Sequence, residues 1–347
     1  MVMGYHFVTF KFKETPTGIL SSILFNGSDA VSFFFVLSGF VLSYKSIVQQ
    51  EPMDVRKFYI NRVFRLWPAF FITLIFNVLY TYRDRLDLHT LSDVFLIHGS
   101  RFWQEAFLLR NHAEYFVPGW TLYVEMTLCL FMPFWIVIAQ RDRRLIYWLL
   151  LVYVLMGGSM FHFHFGLGVL ISCLYTDISS PSFKTTKWYH YRYWLIGSAA
   201  ILFSIRHIDK LFPFGAGYHD LFNYLNIDFF HYTALASFVF IVAIIQSPKA
   251  QKVLEHKALR FLGKISYGVY LMHWLLSAYI VLWLDVTKFE VVSEQFTFIL
   301  AILVYTISTI LAATLLHYFI ELPFIRLGKR IAGKLRPMMV INAPNHD

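Results

Sequence analysis

Charged residues are scarce in this sequence. Asp, Glu, Lys and Arg make up 15% of its 347 residues, whereas 58% are hydrophobic and 19% are aromatic. Soluble domains carry about 25% charged residues. Apolar runs close to the ~20 residues that cross a bilayer recur along the chain. This composition excludes an ordinary soluble domain and predicts an all-α, polytopic membrane protein.

Cysteine is scarce as well. Cys129 and Cys173 both lie in apolar runs, so the sequence contains no disulfide framework. His162 and His164, in "HFHF", are too close in sequence to share one face of a helix, and no carboxylate or cysteine lies near them. We therefore expect no metal site, and we expect no permanently bound cofactor.

The charge that is present is mostly positive, with 30 Lys and Arg against 21 Asp and Glu. Such an excess can indicate a nucleic-acid partner, but in a membrane protein it is typical of cytoplasmic loops, so we expect no nucleic acid. The apolar runs predict about ten transmembrane helices, at about residues 1–10, 31–47, 66–82, 117–139, 145–160, 162–176, 193–205, 229–246, 267–284 and 296–320. Ten helices put the basic breaks and the C-terminus on one side, which we predict to be the cytoplasm.

Two small residues interrupt the apolar run "FFFVLSGFVLS" at residues 33–43. Small residues often let two helices pack closely, which is one interpretation of Ser38 and Gly39. The other is functional: Gly39 lets a long, thin ligand pass along the backbone, and Ser38 forms a hydrogen bond with it. The sequence leaves both interpretations open.

Two arginines precede the third predicted helix in "YINRVFRLWPAF". Arg62 and Arg65 are three residues apart, so both lie on one face of a helix. They could anchor the helix by reaching back to the inner surface of the membrane. They could equally form a fork for phosphate groups, which arginine binds with two parallel hydrogen bonds.

One carboxylate lies inside the fourth predicted helix. Glu125 is about eight residues, on the order of 12 Å, from the outer end of that helix. An unpaired charge there costs roughly 2.5–3.5 kcal/mol, so we expect either a cationic partner or a protonated carboxyl. His6 falls at a similar depth, and a carboxylate–imidazole pair would form an oriented general base. His273 and Glu321 have simpler interpretations, as a packing histidine and a partner of the basic tail.

Five segments, in this order, resemble the acyltransferase-3 family of membrane acyltransferases. They are "FFVLSGF" at 34–40, R-x-x-R-x-x-P at 62–68, "WTLYVE" at 120–125, "ISYGVYLMH" at 265–273 and E-x-P at 321–323. The family has serine where this chain has Thr121, and His6 matches a family histidine. An arginine usually precedes that histidine by eleven positions, which here would fall before Met1, so we expect either that the first helix is truncated at its start or that this protein lacks the arginine and is impaired.

The resemblance implies transfer of an acyl group, usually acetyl, from cytoplasmic acyl-CoA to a hydroxyl of a glycan or lipid-linked glycan at the outer face of a bacterial inner membrane. The chain divides into a transmembrane acyltransferase domain at 1–325 and a basic cytoplasmic tail at 326–347. Under this interpretation His6 and Glu125 are catalytic. The expected acyl-CoA-binding residues are Arg62, Arg65, Ser38, Gly39, Trp120 and His273.

Two other classes of function stay open at this stage. A transporter or flippase of lipid-linked glycans would use the buried charges to line a substrate path. A non-catalytic membrane scaffold would use them only for structure. Consumption of acyl-CoA distinguishes the enzyme from both, and the sequence does not indicate an oligomeric state.

Overall fold

The structure is a computed structural model that describes residues 2–3, 6, 27–85, 92, 94–95, 99–111, 113–155, 160–211, 229–287 and 294–342. Nearly all of these residues are helical, so the all-α prediction is confirmed. The first predicted helix, at 1–10, lies mostly outside the described residues, although Val2, Met3 and His6 are helical.

The helices of the first half are α1 (Gly27–Ile47), α2 (Val55–Thr81), α3 (Gly99–Ala106), α4 (Gly119–Leu130), α5 (Met132–Arg141), α6 (Arg143–Leu155) and α7 (Met160–Ser179). Those of the second half are α8 (Lys187–His190), α9 (Arg192–Leu211), α10 (Phe229–Gln246), α11 (Pro248–Leu254), α12 (Lys257–Thr287), α13 (Glu294–Leu316) and α14 (Leu322–Lys334). A π-helical turn at His317–Glu321 joins α13 to α14, and two short strands, β1 (Met53–Asp54) and β2 (Val340–Ile341), pair with each other.

Two helices begin earlier than their apolar runs. α1 begins at Gly27, four residues before the predicted start at 31. α2 begins at Val55, because the side chain of Asp54 caps it by accepting a hydrogen bond from the backbone N–H of Lys57. Arg and Lys are good helix formers, so a helix can extend beyond its apolar part through them. Most of the basic break at 48–65 is therefore helical, and Arg62 and Arg65 lie within α2.

The helix predicted at 117–139 is broken. α4 and α5 meet at Phe131 with a bend of 43°. Pro133 lies in the first turn of α5, where a missing N–H is tolerated, whereas the same proline would interrupt a continuous helix. The break ends α4 one turn after Glu125.

Four helical segments are long and apolar enough to cross a membrane: Asp29–Ile47, Val55–Thr81, Phe161–Ser179 and Ile299–Lys334. Two bent pairs, α4 with α5 and α10 with α11, raise the number to six if each pair is one span. The predicted number of about ten is therefore not confirmed for the described residues. Some of the predicted transmembrane segments form helices that are too short to meet this length criterion. Examples are α6 and the apolar part of α9, Arg192–Ile205.

Two large buried apolar clusters form most of the described interior, and a smaller third one joins α12 to α13. The first unites α1, α5, α6, α7 and α10. The second unites α2, α3, the residues before α4 and parts of α12 and α13. Helix α4 contributes Val124 and Leu128 to the first cluster and Leu122 to the second. The helix that carries Glu125 therefore lies between the two clusters.

The end of the described chain folds back on the start of α2. The predicted boundary at 325/326 falls within α14, which packs on α2. A methyl group built on Gly328 would lie 2.6 Å from the Cβ of Phe64, so glycine is needed for this close approach. Further on, Ile341 pairs with Met53. Much of the predicted basic tail is thus ordered against α2.

Candidate active site

A cavity of about 390 Å³ opens among α1, α2, α4 and α12. One face of α1 forms its longest wall, through side chains at positions 30, 31, 34, 37, 38, 41 and 42. Positions 30 and 42 are twelve residues apart, and at ~1.5 Å per residue this wall is roughly 18 Å long. Most of its side chains are apolar, so the wall suits a long, thin ligand with few polar groups.

The charged end of the cavity contains a buried ion pair. Arg62 of α2 donates from Nη2 to Oε1 of Glu125 on α4 at 2.5 Å. The exposed fractions of the two side chains are 13% and 2%. The predicted cationic partner of Glu125 is therefore confirmed. Glu125 also accepts a hydrogen bond from the thiol of Cys129, one turn along α4, and interacts with the hydroxyl of Ser38. The proposed His6–Glu125 pair stays a prediction.

This ion pair leaves hydrogen-bonding capacity unused. Nε of Arg62 and Oε2 of Glu125 are buried, and neither has a hydrogen-bond partner of ordinary geometry among the described residues. A buried polar atom without a partner costs about 1–3 kcal/mol. Both residues line the cavity, and so does Ser38, whose hydroxyl interacts with the Glu125 carboxylate. The pair can therefore offer one donor and one acceptor to a bound molecule.

Arg65 is the second arginine of the cavity, and its surroundings differ. It is exposed and lines the cavity beside Leu66, the next residue of α2. Within the described part of the chain its guanidinium forms no ion pair, although its charge interacts with those of Arg62, Glu125 and Glu321. Of the two predicted phosphate ligands, Arg65 is the one that is not held in an ion pair among the described residues.

Two tyrosines of α12 complete the wall opposite α1. Tyr267 donates from its hydroxyl to the carbonyl of Leu66 at 2.6 Å. Tyr270 bonds to the hydroxyl of Thr121 at 2.6 Å and to the carbonyl of Pro118 at 3.1 Å. Reasoning from charge in the sequence did not identify either tyrosine as a site residue. Their spacing of three, on the helical face that continues to His273, is the signal that could have identified them.

The two histidines of the matched motifs lie side by side. The ring centroids of His6 and His273 are 5.3 Å apart, and Trp274 contacts His6 edge-on at 5.0 Å. Val2 and Tyr270, which line the cavity, are four and three residues before these histidines. The histidine pair therefore adjoins the cavity.

The hydrogen bonding of His273 fixes its tautomer. Nδ1 faces the carbonyl oxygen of Tyr270, which can only accept, so Nδ1 carries the proton. In the neutral ring Nε2 is then an acceptor, and this buried atom has no hydrogen-bond partner among the described residues. Tyr305 donates to the backbone carbonyl of His273 at 3.0 Å and holds this turn of α12 in place.

Three predicted ligand residues do not line the cavity: His273, which adjoins it, and Gly39 and Trp120. Gly39 faces α7, where a methyl group on it would lie 2.1 Å from the backbone oxygen of Phe165. Its position is thus explained by helix packing, the first of the two interpretations, whereas Ser38 lines the cavity. Trp120 packs against Phe161, with ring centroids 5.7 Å apart, and contributes to the first apolar cluster. A contact of any of these three residues with acyl-CoA stays a prediction.

A second buried carboxylate fixes the segment before α4. Glu105 of α3 is 3% exposed and accepts three backbone hydrogen bonds, from the N–H groups of Glu114, Tyr115 and Phe116 at 2.8–2.9 Å. Burial raises the pKa of Glu105, and the three backbone amides oppose that shift. This carboxylate sets where α4 begins and hence the depth of Glu125. Sequence reasoning missed it because the loop at 83–116 contains several acids of equal appearance.

The remaining polar candidates have local partners. Glu321 bonds to Nδ1 of His317, one turn earlier, at 2.8 Å, so its predicted pairing with the basic tail is wrong. His162 stacks on Tyr153, and His164 bonds to the hydroxyl of Ser32 at 3.1 Å. Among the described residues, no group of three or more His, Cys, Asp or Glu side chains could hold a metal ion.

Comparison with known families gives one match. A family model described as an acyltransferase domain, that of the acyltransferase-3 family, covers residues 1–318 of the 347. No curated protein and no solved structure matches the chain. The match includes every wall of the cavity and both histidines.

Proposed function

Because the chain belongs to the acyltransferase-3 family, we propose that this membrane acyltransferase takes its acyl group, acetyl in the first instance, from cytoplasmic acyl-CoA. The acceptor in this proposal is a hydroxyl of a glycan or lipid-linked glycan at the outer face of a bacterial inner membrane. The observation that carries it is a single cavity with cations at one end, an apolar wall about 18 Å long and a histidine pair beside it.

The donor end of the proposed site is Arg65. Coenzyme A carries phosphates, and an arginine without an ion-pair partner can bind a phosphate through two parallel hydrogen bonds. Arg62 has a different role, because its charge is already matched by Glu125 at 2.5 Å. We assign Arg62 to holding Glu125 ionised at the cavity, and we assign the apolar face of α1 to contact with the pantetheine arm.

The chemistry needs a base, because a sugar hydroxyl is a poor nucleophile. The acceptor oxygen attacks the thioester carbonyl, its proton passes to an imidazole, the new C–O bond forms and the C–S bond to coenzyme A breaks. The imidazolium then returns the proton to the thiolate. A neutral imidazole suits this role near pH 7. We assign the base to His6, with His273 beside it as the alternative.

Glu125 would act on the transfer through charge. One of its oxygens is held by Arg62, and the other lacks a partner of ordinary geometry among the described residues. A fixed carboxylate at the cavity can stabilise positive charge that develops on an imidazole during proton transfer. This role does not require a direct hydrogen bond to His6 and needs only that the two groups share the site.

Turnover by the purified protein tests the proposal. The full chain in detergent is supplied with acetyl-CoA and an oligosaccharide acceptor, and release of coenzyme A and the mass of the acceptor are measured. We expect one acetyl group on the acceptor for each coenzyme A released. Flux of a lipid-linked glycan across vesicles without consumption of acetyl-CoA would instead support a transporter. Mass spectrometry of surface glycans from cells with and without the gene identifies the natural acceptor.

A further inference from the structure

A second concavity lies away from the cavity, at the turn from α10 to α12. It measures about 580 Å³ and is lined by Lys249, Lys252, Val253, His256 and Leu259. We call it the basic hollow. Its lining combines cationic and apolar side chains. This combination is typical neither of a loop surrounded by water nor of a packed core.

The geometry of the turn sets the orientation of the hollow. α11 leaves α10 at 96°, and α10 with α11 is one of the candidate spans. Ser247 caps α11 by accepting a hydrogen bond from the N–H of Ala250, and Pro248 starts the helix, so the corner is well defined. If α10 runs across the membrane, α11 runs along its surface.

The charge of this turn is not paired with carboxylates among the described residues. Residues 247–266 contain five basic residues and one acid, Glu255; the basic residues are Lys249, Lys252, Lys257, Arg260 and Lys264. In the described ranges none of the five forms an ion pair. The same turn exposes apolar side chains, with Val253 62% and Leu254 50% exposed. An amphipathic helix of this kind lies in the membrane interface, where basic residues attract anionic lipids.

We propose that the basic hollow binds the headgroup of an anionic phospholipid. Lys249 and Lys252 contact the phosphate, and Val253 and Leu259 contact the upper part of the acyl chains. Charge complementarity selects an anionic lipid over a zwitterionic one, because the net charge of the turn is positive. Binding at this corner would fix α11 at the interface and thereby the depth of α10 and α12 in the membrane.

Lipid titration followed by native mass spectrometry tests the proposal. The purified full chain is titrated with phosphatidylglycerol or phosphatidylcholine of the same acyl chains, and the affinity for the first bound lipid is measured. We expect the wild type to prefer phosphatidylglycerol. The double variant Lys249→Gln/Lys252→Gln should lose roughly fivefold for each lysine, the factor that corresponds to about 1 kcal/mol per basic residue near an anionic surface. Lys249→Arg/Lys252→Arg should retain the preference.

The matched control is a second basic segment. Lys184 and Lys187 lie in the turn between α7 and α9, and Lys184→Gln/Lys187→Gln removes the same charge. This control should bind phosphatidylglycerol as the wild type does. Equal losses in both double variants, or no loss in the hollow variant, would overturn the proposal. Displacement of the first lipid by coenzyme A or glycerol phosphate at equal concentration would also overturn it and assign the hollow to a soluble phosphate.

Discussion

The two sides of α1 meet very different neighbours. On one side lies the α1–α7 seam, where Gly39 and Gly168 bring the two backbones together, and a methyl group on either glycine would lie 2.1 Å from a backbone oxygen. On the other side lies the cavity, whose far wall carries Arg62, Arg65 and Glu125. A single helix therefore separates a tightly packed contact from an open, charged site.

This difference explains why Ser38 and Gly39 occur together. Successive residues of a helix point about 100° apart, at 3.6 residues per turn, so neighbours can serve opposite surroundings. Gly39 permits the approach of α7, and Ser38 places a hydroxyl at the cavity. The rigid seam fixes the position of α1, which allows the opposite wall to stay open without collapse. Changes at the seam should therefore affect folding, and changes at the cavity should affect turnover.

The largest expected effect is on catalysis, at the histidine pair. His6→Ala should lower kcat by about 10²–10⁴-fold, which is the contribution of a general base. The melting temperature should stay close to that of the wild type. The measurement is turnover with saturating acetyl-CoA, beside a thermal melt in detergent.

His273→Ala is the comparison for that experiment. If His6 is the base, His273→Ala should reduce kcat less than His6→Ala does. Near-normal turnover in His6→Ala with a large loss in His273→Ala would move the base to Nε2 of His273. That atom is buried and has no hydrogen-bond partner among the described residues.

The next effect combines stability and activity, at the ion pair. Arg62→Ala leaves Glu125 buried without its partner, and breaking a buried pair from one side costs about 3–5 kcal/mol. The double variant Arg62→Ala/Glu125→Gln should recover part of the lost melting temperature, because no uncompensated charge remains. Losses that simply add in the double variant would show that the two side chains are not coupled.

A smaller effect is expected on donor binding. Arg65→Ala should raise the KM for acetyl-CoA by about 10- to 150-fold, since a hydrogen bond to a charged group is worth roughly 1.5–3 kcal/mol. Arg65→Lys should restore only part of the affinity, because lysine lacks the planar fork. Lys57→Ala, an exposed cation on the same helix, is the control. If the KM for acetyl-CoA is unchanged in Arg65→Ala, Arg65 does not bind the donor and serves as an interfacial anchor.

The smallest effect separates the two sides of α1 most directly. Gly39→Ala should destabilise the protein by about 1–3 kcal/mol through overpacking at the seam. Ser38→Ala, one residue earlier, should leave the melting temperature nearly unchanged and weaken donor binding slightly. Thermal melts of both variants, with donor KM values, make the comparison. A larger melting shift in Ser38→Ala than in Gly39→Ala would contradict the assignment of the two faces.

Much of the helical framework could be predicted from the sequence. Apolar runs marked α1, α7 and α10 to within a few residues, because continuous apolar stretches have few alternatives to a helix in a membrane. The number of spans could not be read in the same way. The bend at Phe131 and the short α6 depend on where prolines and partner helices interrupt a run, which hydropathy does not record.

The sequence by itself identified Arg62, Arg65, Glu125 and His6 as candidate site residues, because buried charges and histidines are costly unless they are used or paired. It also determined that Glu125 needs a cation or a proton. Only the tertiary structure decided which cation, since Arg62 is 63 residues away in the chain. It likewise brought His273 to His6 and turned Gly39 away from the cavity. Helix formation depends on neighbours in sequence, whereas pairing across helices depends on rotation and register, which only packing fixes.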